Sequence, residues 1–316
     1  MSETRRAVID VGTNSVKVLV ADVVGTDVRP LLEQSEQTRL GRGFYQTRRL
    51  QPQAIEQTAC AVANFGLLAT QWGAGPARVI ATSAARDALN QRDLIDAIRN
   101  RSGLPVEVVS GEQEAQWAYH GVASDPQLAG SPLMILDVGG GSTEFILGEG
   151  PALQFCQSFS LGTVRLLEEL QLGDLPSEAD LSRCRLQLAR LVDEQIIPSL
   201  SAALPEWSRE RVQLVGTGGT PTMMAAIELC LAEFDRGLIE AVRLSCAQVE
   251  RQVSHLWNLP LAARQCIVGL PPNRADVILT GAAIYEAVLA RFGFPELRVS
   301  TRGLRYAVLM EATFLL

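Results

Sequence analysis

Apolar and polar positions along the chain alternate in two distinct periods. A short apolar run, Ala7-Val8-Ile9, meets a turn containing Gly12 and is followed by the second run Val16-Lys17-Val18-Leu19-Val20. The same sequence of events recurs with Leu133-Met134-Ile135-Leu136, three glycines, and Phe145-Ile146-Leu147. Each reads as strand, glycine-rich turn, strand. In the first half a third strand is expected at about 28–37. A helix then starts near Pro52, a favourable first-turn residue, and keeps Ile55, Ala59, Val62 and Phe65 on one face. The pattern continues with a strand at 79–81, a helix near 91–101, a strand at 106–109 and a helix near 112–123.

The second half repeats this order. A third strand (about 152–160) precedes helices near 161–171 and 177–201, a strand at 212–215, and helices near 221–233 and 247–257. The apolar stretch 273–291 is helical by period, a strand is expected near 297–300, and a last helix runs from about 303. Both halves read βββαβαβα, which predicts two α/β domains with mixed sheets flanked by helices. Ser-Asp-Pro and Gly-Ser-Pro punctuate 124–131, so the expected domains are 1–126 and 127–316, the last helix being free to pack back on the first.

A chain of 316 residues is long enough for two cores, and 47% apolar with 20% charged residues is a globular balance. No apolar run reaches the roughly 18 residues needed to span a bilayer. The first residues lead straight into a strand, so no signal peptide is read and a cytoplasmic location is expected. A net charge of −7 argues against nucleic acid or an anionic membrane as partner. A polyanionic ligand would need a local concentration of donors instead. Lys17 is the only lysine, which reads as composition bias. The six cysteines form no CxxC pair and read as buried free thiols. Two histidines, His120 and His255, are too few for a histidine-built zinc or phosphohydrolase centre; the first reads as packed or capping, the second as surface.

The turns carry the candidate chemistry. Residues 10–15 read Asp-Val-Gly-Thr-Asn-Ser, and 137–142 read Asp-Val-Gly-Gly-Gly-Ser. Gly139, Gly140 and Gly141 let backbone N–H groups approach an anion, with Ser142 and Thr143 adding hydroxyls. Gly12, Thr13, Asn14 and Ser15 offer similar donors through side chains. A third cluster, with Gly218 and Gly219, follows a strand and opens a helix. Asp10 and Asp137 stand beside these cradles. A carboxylate there repels phosphate unless a cation lies between, and Mg²⁺ suits such a donor set, with Mn²⁺ as a substitute.

Taken together, the motifs resemble those of the exopolyphosphatase and guanosine-pentaphosphate phosphatase family, within the actin, sugar-kinase and Hsp70 superfamily. The resemblance rests on Ile9 to Ser15, Arg39-Leu40-Gly41, Ala81 to Ala88, Ser110 to Ala115, Asp137 to Glu144, Ser160 to Leu166, Gly216 to Thr220, Arg274 to Ile278 and Gly303-Leu304-Arg305. It implies duplicated actin-like (ribonuclease H-like) domains with the active site in the interdomain cleft. It implies Mg²⁺-dependent release of terminal phosphate from inorganic polyphosphate, or from guanosine pentaphosphate, by a homodimer of the short two-domain form.

Within that frame Glu114 is the expected base, since it directly precedes Ala115 as the family's base does. Independently, Glu112 and Glu114 lie about 200° apart on a helix, so only one can face a site. Asp10, Asp137 and Glu144 are the expected metal shell. Arg86 is the expected phosphate clamp, with Asp87 as a competing local partner, and Arg165 a second candidate. Arg39, Arg42, Arg302 and Arg305 could line a path for a polyphosphate tail. Asp276 reads as a structural residue inside an apolar helix. A sugar kinase or a non-catalytic polyphosphate sensor would share the fold without this set of residues.

Overall fold

The structure, a computed structural model, describes residues 3–203 and 211–311. The chain forms two compact units, Met1–Ser124 with Gly303–Leu316, and Asp125–Arg302.

Unit 1 begins with an antiparallel meander of β1 (Thr4–Val11), β2 (Val16–Val24) and β3 (Asp27–Glu36). A short helix α1 (Phe44–Thr47) leads into α2 (Pro52–Gln71), then β4 (Arg78–Ala81), α3 (Ser83–Asp87), α4 (Gln91–Ser102), β5 (Val106–Val108) and α5 (Gly111–Ala123). The sheet order is β3-β2-β1-β4-β5, with β4 and β5 parallel to the first strand. Side chains of a strand alternate between faces, and here both faces are covered. Ile9, Val11, Val16, Val18 and Val20 share a core with Ala59, Val62, Leu94 and Ile98 of α2 and α4. Val8, Leu19 and Ala21 pack on the other side with Trp117 of α5 and with Tyr306, Val308 and Leu309. The last three belong to the C-terminal helix, Leu304–Met310, which thus covers one face of the sheet that the N-terminus begins. Its approach requires Gly121, where a Cβ would stand 2.0 Å from the carbonyl oxygen of Gly303. Burying such Val, Leu and Ile side chains stabilises by about 1.5–3 kcal/mol each.

Unit 2 repeats the meander with β6 (Pro132–Val138), β7 (Thr143–Glu149) and β8 (Ala152–Phe159). Then come α6 (Thr163–Leu170), α7 (Glu178–Leu191) and, through a π turn at Val192–Ile196, α8 (Ile197–Ala203). β9 (Gln213–Thr217), α9 (Gly219–Glu228), α10 (Arg236–Glu240), β10 (Arg243–Ser245), α11 (Cys246–Trp257), α12 (Leu261–Arg264), α13 (Ile278–Phe292) and β11 (Glu296–Val299) follow. The sheet order is β10-β11-β9-β6-β7-β8. Without the antiparallel edge strand β10, this is the order of unit 1. The duplication reaches the irregularities: the register shifts after Val20 in β2 and after Leu147 in β7, the fifth residue of each strand.

The expected elements are present, with differences at short ones. Helices α1, α3, α10 and α12, of four or five residues, and the three-residue β10 are too brief to show a period. The apolar stretch 273–291 does not become helix at once. Pro272–Arg274 forms a 3₁₀ turn and α13 starts at Ile278, so Asp276 precedes the helix and is not inside it; its Oδ1 accepts from the Val277 amide at 2.9 Å. The cysteines are free, but only Cys184 is buried; Cys60, Cys156 and Cys246 are half-buried, and Cys230 and Cys266, just past helix ends, are exposed. His120 is also exposed and not packed, touching only the edge of Tyr119 among the described rings.

Candidate active site

In both units the loops with chemistry leave the carboxyl ends of the parallel strands, the edge where open α/β sheets bind ligands. In unit 1 the edge is stitched by Thr82, whose amide donates to Val11 O at 3.2 Å, and by Val109, whose amide donates to Ala81 O at 3.0 Å. The turn after β1 is closed by a bond from Gly12 N to Ser15 O at 3.0 Å. Its outward carbonyls are engaged by the loop that follows β3: Arg39 N donates to Asn14 O at 3.0 Å and Gly41 N to Thr13 O at 2.7 Å. Thr13, Asn14 and Ser15 are buried. Arg39 contributes through its backbone, and Arg42 is exposed.

Two polar atoms of this turn have no hydrogen-bond partner although buried: Asp10 Oδ1 and Asn14 Nδ2. Burial pushes the Asp10 carboxyl above its usual range, and the charges of Lys17 and Arg305 pull it back. Lys17 lies directly across the hairpin from Asp10. Arg305 comes from the C-terminal helix, pairs with Glu33 and donates to Val18 O at 3.4 Å. Burial would lower its own pKa, but Glu33 and Asp10 outweigh that and raise it. Arg305 is therefore a partner of the Asp10 site and not a surface arginine free for a substrate tail.

The base helix α5 begins where β5 ends. Ser110 caps it, its hydroxyl accepting from Gln113 N at 3.1 Å. This phase leaves Glu112 exposed and buries Glu114 to 7% exposure. Arg86, at the end of α3, donates from Nη1 to Glu114 Oε2 at 2.9 Å and to Val109 O at 3.1 Å. Asp87 is a weak competitor, 3.7 Å from Arg86 Nε. The expected clamp thus holds the expected base, a contact that sequence spacing between residues 86 and 114 does not disclose.

In unit 2 the turn is closed in the same way, Gly139 N donating to Ser142 O at 2.9 Å. Its carbonyls are taken by the start of α6: Thr163 N binds Gly139 O, and Val164 N binds Gly140 O, both at 2.9 Å. Arg165 Nε donates to Gly141 O at 2.9 Å, so this arginine is anchored to the turn. With its carbonyls engaged, the turn presents N–H groups. The docking is backbone on backbone, since a Cβ on Gly162 would meet the Gly140 carbonyl and the Gly141 amide at 2.5 Å. Thr143 is buried with its hydroxyl on Leu161 O at 2.7 Å. Asp137 faces Glu144 across the hairpin and Thr217 on the neighbouring parallel strand. Glu144 is buried, and Ser158 donates to its Oε1 at 2.7 Å. Gly218 has φ of +92°, and a Cβ there would stand 2.8 Å from Asp137 Oδ1, so only glycine fits this turn. Beneath it the buried Tyr285 hydroxyl donates to Leu136 O at 3.0 Å; burial, then the charge of Asp137, holds its pKa well above the ordinary value.

Among the described residues no group of three His, Cys, Asp or Glu side chains forms a ready metal cage. Asp137 and Glu144 form a cross-strand pair, while Asp10 has cationic neighbours. Sequence reasoning missed Lys17, Ser158 and Tyr285. Lys17 was accessible: the repeat places it at the position equivalent to Glu144.

A model of the Ppx/GppA phosphatase family matches residues 19–313. Exopolyphosphatase 2 of Mycobacterium tuberculosis is 33% identical over 314 residues, covering 95% of this chain and 96% of that protein. Among solved structures, an exopolyphosphatase from Cytophaga hutchinsonii superimposes with a TM-score of 0.85 at 27% identity, covering 97% of this chain and 96% of that one. The Aquifex aeolicus Ppx/GppA family member does so with a TM-score of 0.79 at 29% identity, covering 99% of each chain.

Proposed function

We propose that this chain, which belongs to the Ppx/GppA phosphatase family, is an exopolyphosphatase that releases terminal phosphate from inorganic polyphosphate by hydrolysis. The observation that carries the reading is Glu114, a buried carboxylate at the start of a helix on the ligand-binding edge, held by Arg86 at 2.9 Å. Hydrolysis of a phosphoanhydride needs a water aligned with the phosphorus, an acceptor for its proton, and donors for the phosphate oxygens. Glu114 accepts the proton, and Arg86 fixes its orientation. Asn14 Nδ2, an unmet donor, is satisfied by a phosphate oxygen or water, and Asp10 Oδ1, an unmet acceptor, by bound water. In unit 2 the N–H groups of Gly140 and Gly141 and the start of α9 receive phosphate oxygens.

The donor set also fits a divalent cation. Two carboxylates opposed across one hairpin, Asp137 and Glu144, offer a cation oxygen ligands from one side, and all-oxygen ligands with phosphate suit Mg²⁺, with Mn²⁺ accepted. When bound, the cation neutralises phosphate charge. Asp10 has Lys17 and Arg305 as charged neighbours, and the shell is proposed on Asp137 and Glu144. The proposal extends to a cytoplasmic homodimer, which sedimentation of the purified protein checks.

The test is phosphate release with and without Mg²⁺ from short polyphosphate, long polyphosphate, guanosine pentaphosphate and ATP. Metal-dependent release chiefly from polyphosphate is the expected result. Preference for guanosine pentaphosphate would transfer the assignment to alarmone hydrolysis, and release from none would overturn it.

A further inference from the structure

Along the ligand-binding edge of unit 2 a row of residues runs from Glu144 through Asp137 to Thr217, and then to the loop 300–302 that follows β11. The Thr217 hydroxyl donates to Arg302 O. That loop is held from its far side by one carboxylate. Glu240, at the end of α10, accepts from Thr301 N at 2.7 Å, from the Thr301 hydroxyl, and from the Ser300 hydroxyl at 3.0 Å. Ser300 Oγ in turn accepts from Arg302 N at 3.2 Å, and Arg236 donates to Thr301 Oγ1. A carboxylate receiving three donors makes charge-assisted bonds, stronger than neutral ones. The residue it finally steadies, Thr217, directly precedes Gly218, whose left-handed backbone lies against Asp137.

We propose that Glu240 is a positioning residue for phosphate binding in unit 2, acting through the loop 300–302 and the Thr217 hydroxyl on the turn 218–219. The proposal deepens the exopolyphosphatase reading and rests on it for the ligand class, a linear polyphosphate. Glu240 touches no substrate. Its carboxylate fixes Arg302 O, Arg302 O fixes Thr217, and Thr217 sets where the Gly218 and Gly219 amides point.

Calorimetric titration with tripolyphosphate and Mg²⁺, in the Glu114→Gln background so that the ligand is not consumed, tests this. Glu240→Gln keeps the shape and loses acceptor capacity; Thr217→Val keeps the shape and loses the hydroxyl. Each is expected to weaken Kd by about tenfold, the two together no more than the worse single change, because they act in series. Thr217→Ser, which keeps the donor, is expected to stay within about twofold of the background protein. Thermal scans establish that each variant is folded. An unchanged Kd in Glu240→Gln, additive losses in the double variant, no rescue by Thr217→Ser, or no binding by the background protein would each overturn the relay. Tight binding together with no phosphate release by the wild-type protein would instead overturn the hydrolase reading and leave the relay standing.

Discussion

The hairpins of the two units are one design used twice, and they part company in charge at one position. Each begins with an Asp near the end of the first strand, closes its turn with the same glycine-to-serine bond, and shifts register at the same residue of the second strand. Opposite Asp10 stands Lys17; opposite Asp137, at the equivalent place, stands Glu144. Unit 1 therefore sets Lys17 and Arg305 near its aspartate, and unit 2 sets a second carboxylate across from its own. The cradles differ in the same spirit. Unit 1 fills its turn with Thr13 and Asn14, while unit 2 has Gly140 and Gly141 there and docks bare backbone on α6. A duplicated fold can thus keep its hydrogen-bond skeleton while its two electrostatic sites are assigned different chemistry.

That contrast can be broken by mutation, most severely at the docking glycines. Gly162→Ala pushes a Cβ into backbone that cannot move, and we expect a loss of about 3 kcal/mol in urea unfolding. Gly41→Ala, the corresponding change in unit 1, meets the Thr13 methyl at 2.3 Å, a side chain that can turn, so the expected loss is smaller, about 1–2 kcal/mol. Equal losses would show that the two turns are docked alike. Next in size is the charge opposite the aspartate. Glu144→Lys makes unit 2 resemble unit 1 and is expected to raise the Mg²⁺ concentration for half-maximal activity at least about tenfold. Asp10→Asn should leave that concentration within about twofold, and a larger shift would place the cation in unit 1 as well.

The smallest effect concerns stability and pH. Burial raises the Asp10 carboxyl above its ordinary value, so the folded chain binds this proton more tightly than the unfolded chain. The corresponding stability is present at low pH and is lost as pH rises from the ordinary carboxylate value through the raised one. Asp10→Asn removes that loss, and its Tm should gain on the wild type between acid and neutral pH. A gap that narrows over this range would mean that Lys17 and Arg305 dominate.

Much of this was legible in the sequence where patterns were long. The duplicated strand–turn–strand units and helices α2, α4, α5 and α11 follow from period and spacing; period also allows only one of Glu112 and Glu114 to face inward, and the choice of Glu114 rested on the family resemblance. Short elements were not, because four or five residues such as 236–240 carry no period. Contacts between distant segments were equally invisible. The Arg86–Glu114 pair depends on β4 and β5 being neighbours, and Arg305 reaches Asp10 only because the C-terminal helix packs on the first sheet. The charge beside each turn was hidden for the same reason: sequence shows the Asp at each turn, whereas its cross-strand neighbour, Lys17 or Glu144, is set by register.

The most direct test of the account is the rate of phosphate release from polyphosphate by Glu114→Gln beside the wild-type protein and Glu112→Gln, at saturating Mg²⁺. Glu114→Gln should lower kcat by about a hundredfold or more with an unchanged circular dichroism spectrum, while the exposed Glu112→Gln stays within about twofold. Near wild-type turnover by Glu114→Gln would contradict the assignment of water activation to unit 1.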